Sequence, residues 1–122
     1  MELSEGSFCG ELVARDPLAK DLYSEHLRRY GSELPHVFLG SWVANVVERF
    51  RNNENYSLAQ PVVEFLEAAV NSRDEHVRNL MGASFFENVV TERAARERIL
   101  NGLLPRSRSE LEKWIVSHSS SR

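Results

Sequence analysis

The chain has 122 residues, of which 42% are hydrophobic and 27% are charged, and its formal net charge is -3. This length fits a single domain over residues 1–122 that can bury a core, and the composition excludes a disordered or membrane-embedded protein. Because no apolar run approaches the roughly 20 residues of a spanning helix and the first residues lack the parts of a signal peptide, we predict cytoplasmic residence.

Cysteine, histidine and basic residues limit the possible chemistry. The single cysteine, Cys9, excludes an internal disulfide, and four scattered histidines give no close Cys/His spacing for zinc. Arginine and lysine residues are dispersed or paired with acids, so we predict no nucleic-acid partner and no membrane partner. No motif implies a cofactor or a metal, and the oligomeric state is left open.

The N-terminal quarter carries two helical segments. Residues 1–6 are polar and are predicted to be flexible, and a short apolar stripe follows at residues 8–13. Asp16 precedes a proline, which is typical of a helix start because Asp accepts bonds from the first amides and Pro lacks one. The second helix is predicted over residues 17–30, with Gly31 ending it in a left-handed conformation.

The middle of the chain continues this pattern. A third helix is predicted over residues 35–51, because its apolar residues recur with a helical period and fill about half of the wheel. The sequence SLAQ at residues 57–60 spells a capping box, which predicts a fourth helix over residues 58–71. In that helix Glu64 and Glu67 lie opposite the apolar face, where we expect solvent.

The run from Ser72 to Val90, SRDEHVRNLMGASFFENVV, predicts a fifth helix that begins after Asp74 as its N-cap. Its apolar side is formed by Val77, Leu80, Met81, Ser84, Phe85, Asn88 and Val89. An unpaired polar group there would cost roughly 1–3 kcal/mol. We therefore expect Ser84 to bond a carbonyl of its own helix and Asn88 to hold a neighbouring loop or helix end.

The last third of the chain carries further start signals. Thr91 is predicted to cap one segment, and Ser107 with Glu110 spells a second capping box, while residues 118–122 are predicted to be flexible. No strand is required. The predicted fold class is all-α, a single-domain bundle of five or six helices in which residues 58–90 form an antiparallel hairpin.

Two resemblances add to this prediction. The hairpin resembles a HEAT-type unit, with a proline in its first helix, an aspartate in the turn and Val77-Arg78 in the second. Residues 9–90 resemble a family of small bacterial helical proteins through LYSEHL at 22–27, ELPHVFLG at 33–40, VVEFLEAAVNSRDEHVRNL at 62–80 and SFFEN at 84–88. This resemblance implies an immunity protein, which is encoded beside a secreted polymorphic toxin and neutralises it by binding. Residues 91–122 fit no such pattern, so a partner-specific role is possible there.

Catalytic patterns are absent from the sequence. A nucleophilic Ser41 or Ser84 would need a nearby base, and no G-x-S-x-G motif is present. We predict that the protein is not an enzyme. His26 and His36 are expected to be structural or exposed, and Trp42 is expected to pack in the core.

The outer face of the fifth helix is the candidate partner-binding site, formed by Glu75, Asn79, Phe86 and Glu87. Phe86 is either covered by the C-terminal segment, whose Trp114 needs a surface to pack on, or exposed as an anchor for a basic toxin. The leading function is stoichiometric neutralisation of a cognate toxin by protein–protein binding. The alternative is a cytoplasmic adaptor or scaffold that binds a helical or basic segment of another protein.

Overall fold

In a computed structural model that describes residues 2–120, every regular element is a helix. There are seven: α1 (Glu5–Arg15), α2 (Pro17–Tyr30), α3 (Pro35–Asn52), α4 (Gln60–Val70), α5, α6 (Arg93–Gly102) and α7 (Pro105–Ser120). Helix α5 is continuous and consists of Glu75–Leu80, a π-helical segment Met81–Phe86, and Glu87–Val90. The all-α prediction is confirmed, but five or six helices was too few, because even the short N-terminal stripe forms its own helix. Residues 1, 121 and 122, predicted to be flexible, lie outside the described part.

Three of the local helix signals work as the sequence predicts. The Asp16 carboxylate accepts a hydrogen bond from the Leu18 amide at the start of α2, and Gly31 ends that helix with a φ of 75°. The Asp74 carboxylate accepts the His76 amide at 2.9 Å and begins α5. Each signal acts within a few residues, so it needs no tertiary partner.

Two helices begin later than predicted. Helix α4 begins at Gln60, and the capping box predicted at residues 57–60 does not form. Pro61 explains this shift, because a residue without an amide is tolerated only in the first turn, where no carbonyl needs that amide. Helix α6 begins at Arg93 instead of after Thr91, whose hydroxyl donates to a carbonyl of α5.

Residues 2–6, which we predicted to be flexible, lie against the turn between α4 and α5. Leu3 is buried, and its carbonyl accepts a hydrogen bond of 2.7 Å from the Ser72 hydroxyl. The Glu5 amide donates to the second carboxylate oxygen of Asp74 at 2.8 Å. Asp74 therefore caps α1 and α5 together, and it ties the first turn of the chain to the middle of the sequence.

The seven helices share one hydrophobic core, with α3 packed against α1, α2, α5 and α6. Buried side chains come from every helix: Phe8, Ala19, Phe38, Trp42, Phe65, Phe85, Ile99 and Leu111. The predicted core position of Trp42 is confirmed, and its indole N–H donates to Asp16 at 2.6 Å. Within residues 2–120, no helix combines the length and the apolar character needed to cross a bilayer.

Candidate functional site

A groove of about 840 Å³ opens between α5 and α7. Its lining includes all four predicted partner-binding residues, Glu75, Asn79, Phe86 and Glu87, and Trp114 stands on the α7 side. The structure thus brings the predicted residues together at one surface depression. Whether they bind a partner remains a prediction.

The π-helical segment of α5 shapes this groove. At its end the Glu87 amide donates to the Gly82 carbonyl, five residues earlier. Each such hydrogen bond spans one residue more than an α-helical bond. The side chains that follow are therefore rotated back about the helix axis by the angle of about one residue, roughly 100°, relative to a regular α-helix. On a regular helical wheel Glu87 lies about 120° from Glu75, and this backward rotation returns Glu87 to the face of Glu75.

The same rotation changes the direction in which other side chains of α5 point. Phe86 moves from the outer face toward the core and is 3% exposed, whereas Asn88 moves from the apolar side to the exposed surface. A sequence wheel drawn at a constant angle could not show either position, because it contains no π-helical turn.

Trp114 covers Phe86. The two rings stack with centroids 6.5 Å apart, which confirms the alternative in which the C-terminal segment covers Phe86. The indole also lies on Gly82, where a Cβ atom would come within 3.2 Å of the Trp114 ring. The half-buried Trp114, which the sequence placed only among packing residues, is therefore the accessible aromatic side chain of the groove.

The carboxylates at the rim of the groove have few partners. The side chains of Glu75 and Glu87 are exposed, and neither carboxylate accepts a hydrogen bond or forms an ion pair within residues 2–120. The nearby cations are engaged, since Arg78 donates to the Ser72 carbonyl at 2.7 Å and Arg106 lies 3.7 Å from a carboxylate of α7. Two unpaired carboxylates, Glu75 and Glu87, therefore face the groove, together with the positive charge of Arg78, which is bonded to a neutral carbonyl.

Glu67 of α4 anchors α7 at one end of the groove. Its carboxylate accepts the amides of Arg106 and Ser107, at 3.0 and 2.8 Å, and the Ser107 hydroxyl at 2.8 Å. The prediction of a solvated Glu67 was wrong, because this side chain caps a helix that begins almost forty residues later. The predicted N-cap Ser107 instead lies buried in the first turn of α7.

The acid stability of this anchor gives a first prediction. Partial burial raises the pKa of Glu67, but the hydrogen bonds from Ser107 and Arg106 more than offset burial, so this pKa lies below its ordinary 4.5. The stabilisation is present above the unfolded-state pKa and is lost as pH falls through the lower folded-state pKa. We expect Glu67→Gln to cost about 1–2 kcal/mol in the free energy of unfolding at pH 7 and much less near pH 3.

Urea unfolding at pH 7, 5 and 3 measures this difference. Glu64→Gln is the matched control, since Glu64 is exposed on the same helix and, among residues 2–120, its carboxylate accepts a hydrogen bond only from Gln60, at 3.3 Å. A destabilisation by Glu67→Gln that is the same at all three pH values would contradict the proposed role of the ionised carboxylate.

Ser84 and Asn88 exchange the roles that we predicted for them. The Ser84 hydroxyl lies 2.7 Å from Nδ1 of His36, so Ser84 joins α5 to α3, and the Asn88 amide donates to the Ser84 carbonyl of its own helix. A serine beside a histidine is one requirement of a nucleophilic pair. Ser84 is only 4% exposed, however, so the contact holds two helices together and offers no nucleophile to a substrate.

The other side chains considered for chemistry occupy structural positions. His26 is buried, and its Nε2 accepts the Leu34 amide at 3.0 Å at the turn between α2 and α3. Burial, together with the charge of Glu33, raises the pKa of Cys9 to about 12, so its thiol stays protonated. Across residues 2–120, no three His, Cys, Asp or Glu side chains are grouped so that they could hold a metal ion.

Comparison with known protein families gives a match. Residues 9–118 match the sequence model of a family described as a domain of unknown function, DUF7674. No curated protein and no solved structure matches the chain. The match includes α6 and most of α7, so the C-terminal segment, which fitted no pattern in the sequence, is largely part of the shared domain. The chain belongs to the DUF7674 family.

Proposed function

We propose that this protein is an immunity protein, which binds and neutralises a cognate bacterial toxin as a stoichiometric inhibitor in the cytoplasm. The observation that carries the proposal is the groove between α5 and α7, where an apolar floor is bordered by the unpaired carboxylates of Glu75 and Glu87. An aromatic centre with a polar rim is typical of the energetic centre of a protein–protein interface.

The proposed mechanism needs binding alone. Trp114, which packs on the buried Phe86, supplies the apolar contact, the rim carboxylates attract a basic surface, and Asn79 offers an amide to the partner. The bound protein would cover the active site of the toxin or block a movement that the toxin requires. As part of the same proposal, α4 and α5 form a HEAT-like hairpin, a type of unit that often builds protein-binding surfaces.

Co-expression with the toxin encoded by the neighbouring gene tests this function. We expect rescue of growth and a 1:1 complex in size-exclusion chromatography and calorimetry. Failure of the purified proteins to associate at micromolar concentrations, together with no rescue, would contradict the proposal.

A second prediction locates the binding site. Asn79→Arg places a long cation in the groove, and we expect it to weaken the toxin complex at least tenfold while the melting temperature stays unchanged, because Asn79 is exposed. Ala94→Arg is the matched control, since Ala94 is exposed on α6 and does not line this groove. Equal affinities for the two variants would exclude the groove as the interface.

A cytoplasmic adaptor or scaffold is the second candidate function, and an exposed apolar corner supports it. Leu27, Tyr30, Leu34 and Val37 lie around the turn from α2 to α3, and each is 38–45% exposed. Exposed apolar side chains that cluster in this way mark interaction surfaces. The rescue assay separates the two functions, because an adaptor does not protect cells from a toxin.

A further inference from the structure

We infer that the groove accepts one basic amphipathic helix of the partner, laid along the seam between α5 and α7 with Trp114 at its middle. This inference rests on the proposed function and specifies the chemistry of the partner. Three features of the seam carry it: its length, the helical nature of both its walls, and the spacing of its unpaired carboxylates.

The seam is longer than the groove alone. A second cavity of about 260 Å³ lies beyond Trp114 and reaches Thr91 and Ser117. Glu87 and Trp114 line both cavities, so the two cavities adjoin. Together they extend along α5 from Glu75 to Thr91, and we call them the trough. Sixteen residues at 1.5 Å each make this trough about 24 Å long, which fits a segment of polypeptide better than a compact small molecule.

The walls of the trough favour a helix as its occupant. Both walls, α5 and α7, are helices, whose interior backbone groups bond within the helix, so the trough presents side chains and no free strand edge. An extended peptide gains most of its affinity from backbone bonds to such an edge, whereas an amphipathic helix lays an apolar face into a groove. The exposed part of Trp114 provides the apolar contact at the middle of the trough.

The charges of the trough specify the sign of the charges on the partner helix and the distance between them. Glu75 and Glu87 are twelve residues apart, about 18 Å along α5, and both are unpaired. Two cations that are eleven residues apart on a helix lie about 17 Å apart on one face. The trough therefore complements a helix that carries lysine or arginine at this spacing, with apolar residues between them.

Intrinsic fluorescence gives a direct test on the full-length protein. Trp42 is fully buried and Trp114 is half-buried at the trough, so a ligand in the trough changes the emission of Trp114. The probe is a synthetic amphipathic helix of leucine and alanine with two lysines eleven residues apart. The control peptide has glutamates in place of the lysines. We expect saturable binding of the lysine peptide and at least tenfold weaker binding of the glutamate peptide.

Matched variants test the two carboxylates. We expect the double variant Glu75→Gln, Glu87→Gln to bind the lysine peptide about tenfold more weakly than the unchanged protein. Glu54→Gln with Glu97→Gln removes the same charge at exposed positions outside the groove, and we expect its affinity to stay within about twofold. Trp114→Phe should abolish the fluorescence change.

The outcomes separate this inference from the proposed function. Equal binding of both peptides, or equal weakening by the two double variants, overturns the inference. A toxin that is neutralised with unchanged affinity by the Glu75→Gln, Glu87→Gln variant also overturns it, while the immunity function stands. Charge-dependent binding of the lysine peptide without neutralisation of a toxin supports the inference and contradicts the immunity function.

Discussion

Replacement of Phe86 by alanine is expected to lower the free energy of unfolding by about 3–5 kcal/mol, because it deletes a buried aromatic ring and leaves a cavity. The ring is 3% exposed and lies between Phe85, at a centroid distance of 5.3 Å, and Trp114, at 6.5 Å. Its loss removes contacts on both sides. The π-helical segment and α7 would also lose the ring on which Trp114 stacks.

Thermal and urea unfolding measure this effect, and the melting temperature should fall by roughly 10 °C or more. Val116→Ala is the control, since Val116 is an apolar residue that is 64% exposed on α7, and its loss should change stability by less than about 0.5 kcal/mol. An unchanged melting temperature with weaker partner binding would instead support the exposed anchor that the sequence left open.

Removal of the Arg98 guanidinium is expected to have the second-largest effect, about 2–3 kcal/mol for Arg98→Met. Its nitrogens donate to the carbonyls of Phe50, Asn53, Glu54 and Tyr56, and the guanidinium lies 5.0 Å from the centre of the Phe50 ring. The Arg98 side chain therefore caps the carboxyl end of α3 and also binds the loop that leads to α4. Without it, these carbonyls lose their charged donor.

A conservative variant tests the geometry of this contact. Arg98→Lys keeps the charge but loses the planar fork that reaches several carbonyls, so we expect it to recover less than half of the lost stability. Arg93→Lys is the matched control on the same helix, because Arg93 is exposed, and its stability should stay within about 0.5 kcal/mol of the unchanged protein. Full stability in Arg98→Lys would show that charge alone accounts for the effect.

The candidate site was predictable only in part. The helical period placed Glu75 and Asn79 on the outer face of α5, and both line the groove. Phe86 was placed beside them, yet it is buried, because the π-helical turn rotates it toward the core. Glu87 reaches the groove through the same turn. A single sequence does not indicate where a helix contains a π-helical turn. In α5 this turn is stabilised by tertiary packing around Gly82 and Trp114, which the sequence does not show.

The all-α class, the approximate positions of the helices and the caps at Asp16, Gly31 and Asp74 could be predicted from the sequence. These features depend on hydrogen bonds and apolar contacts among residues no more than about four apart, so they can be read locally. Contacts between residues far apart in the sequence could not be predicted in this way, such as those of Glu67 at the start of α7 and of Arg98 at the end of α3. The groove belongs to this second group, because it exists only where α7 packs against the π-helical turn of α5.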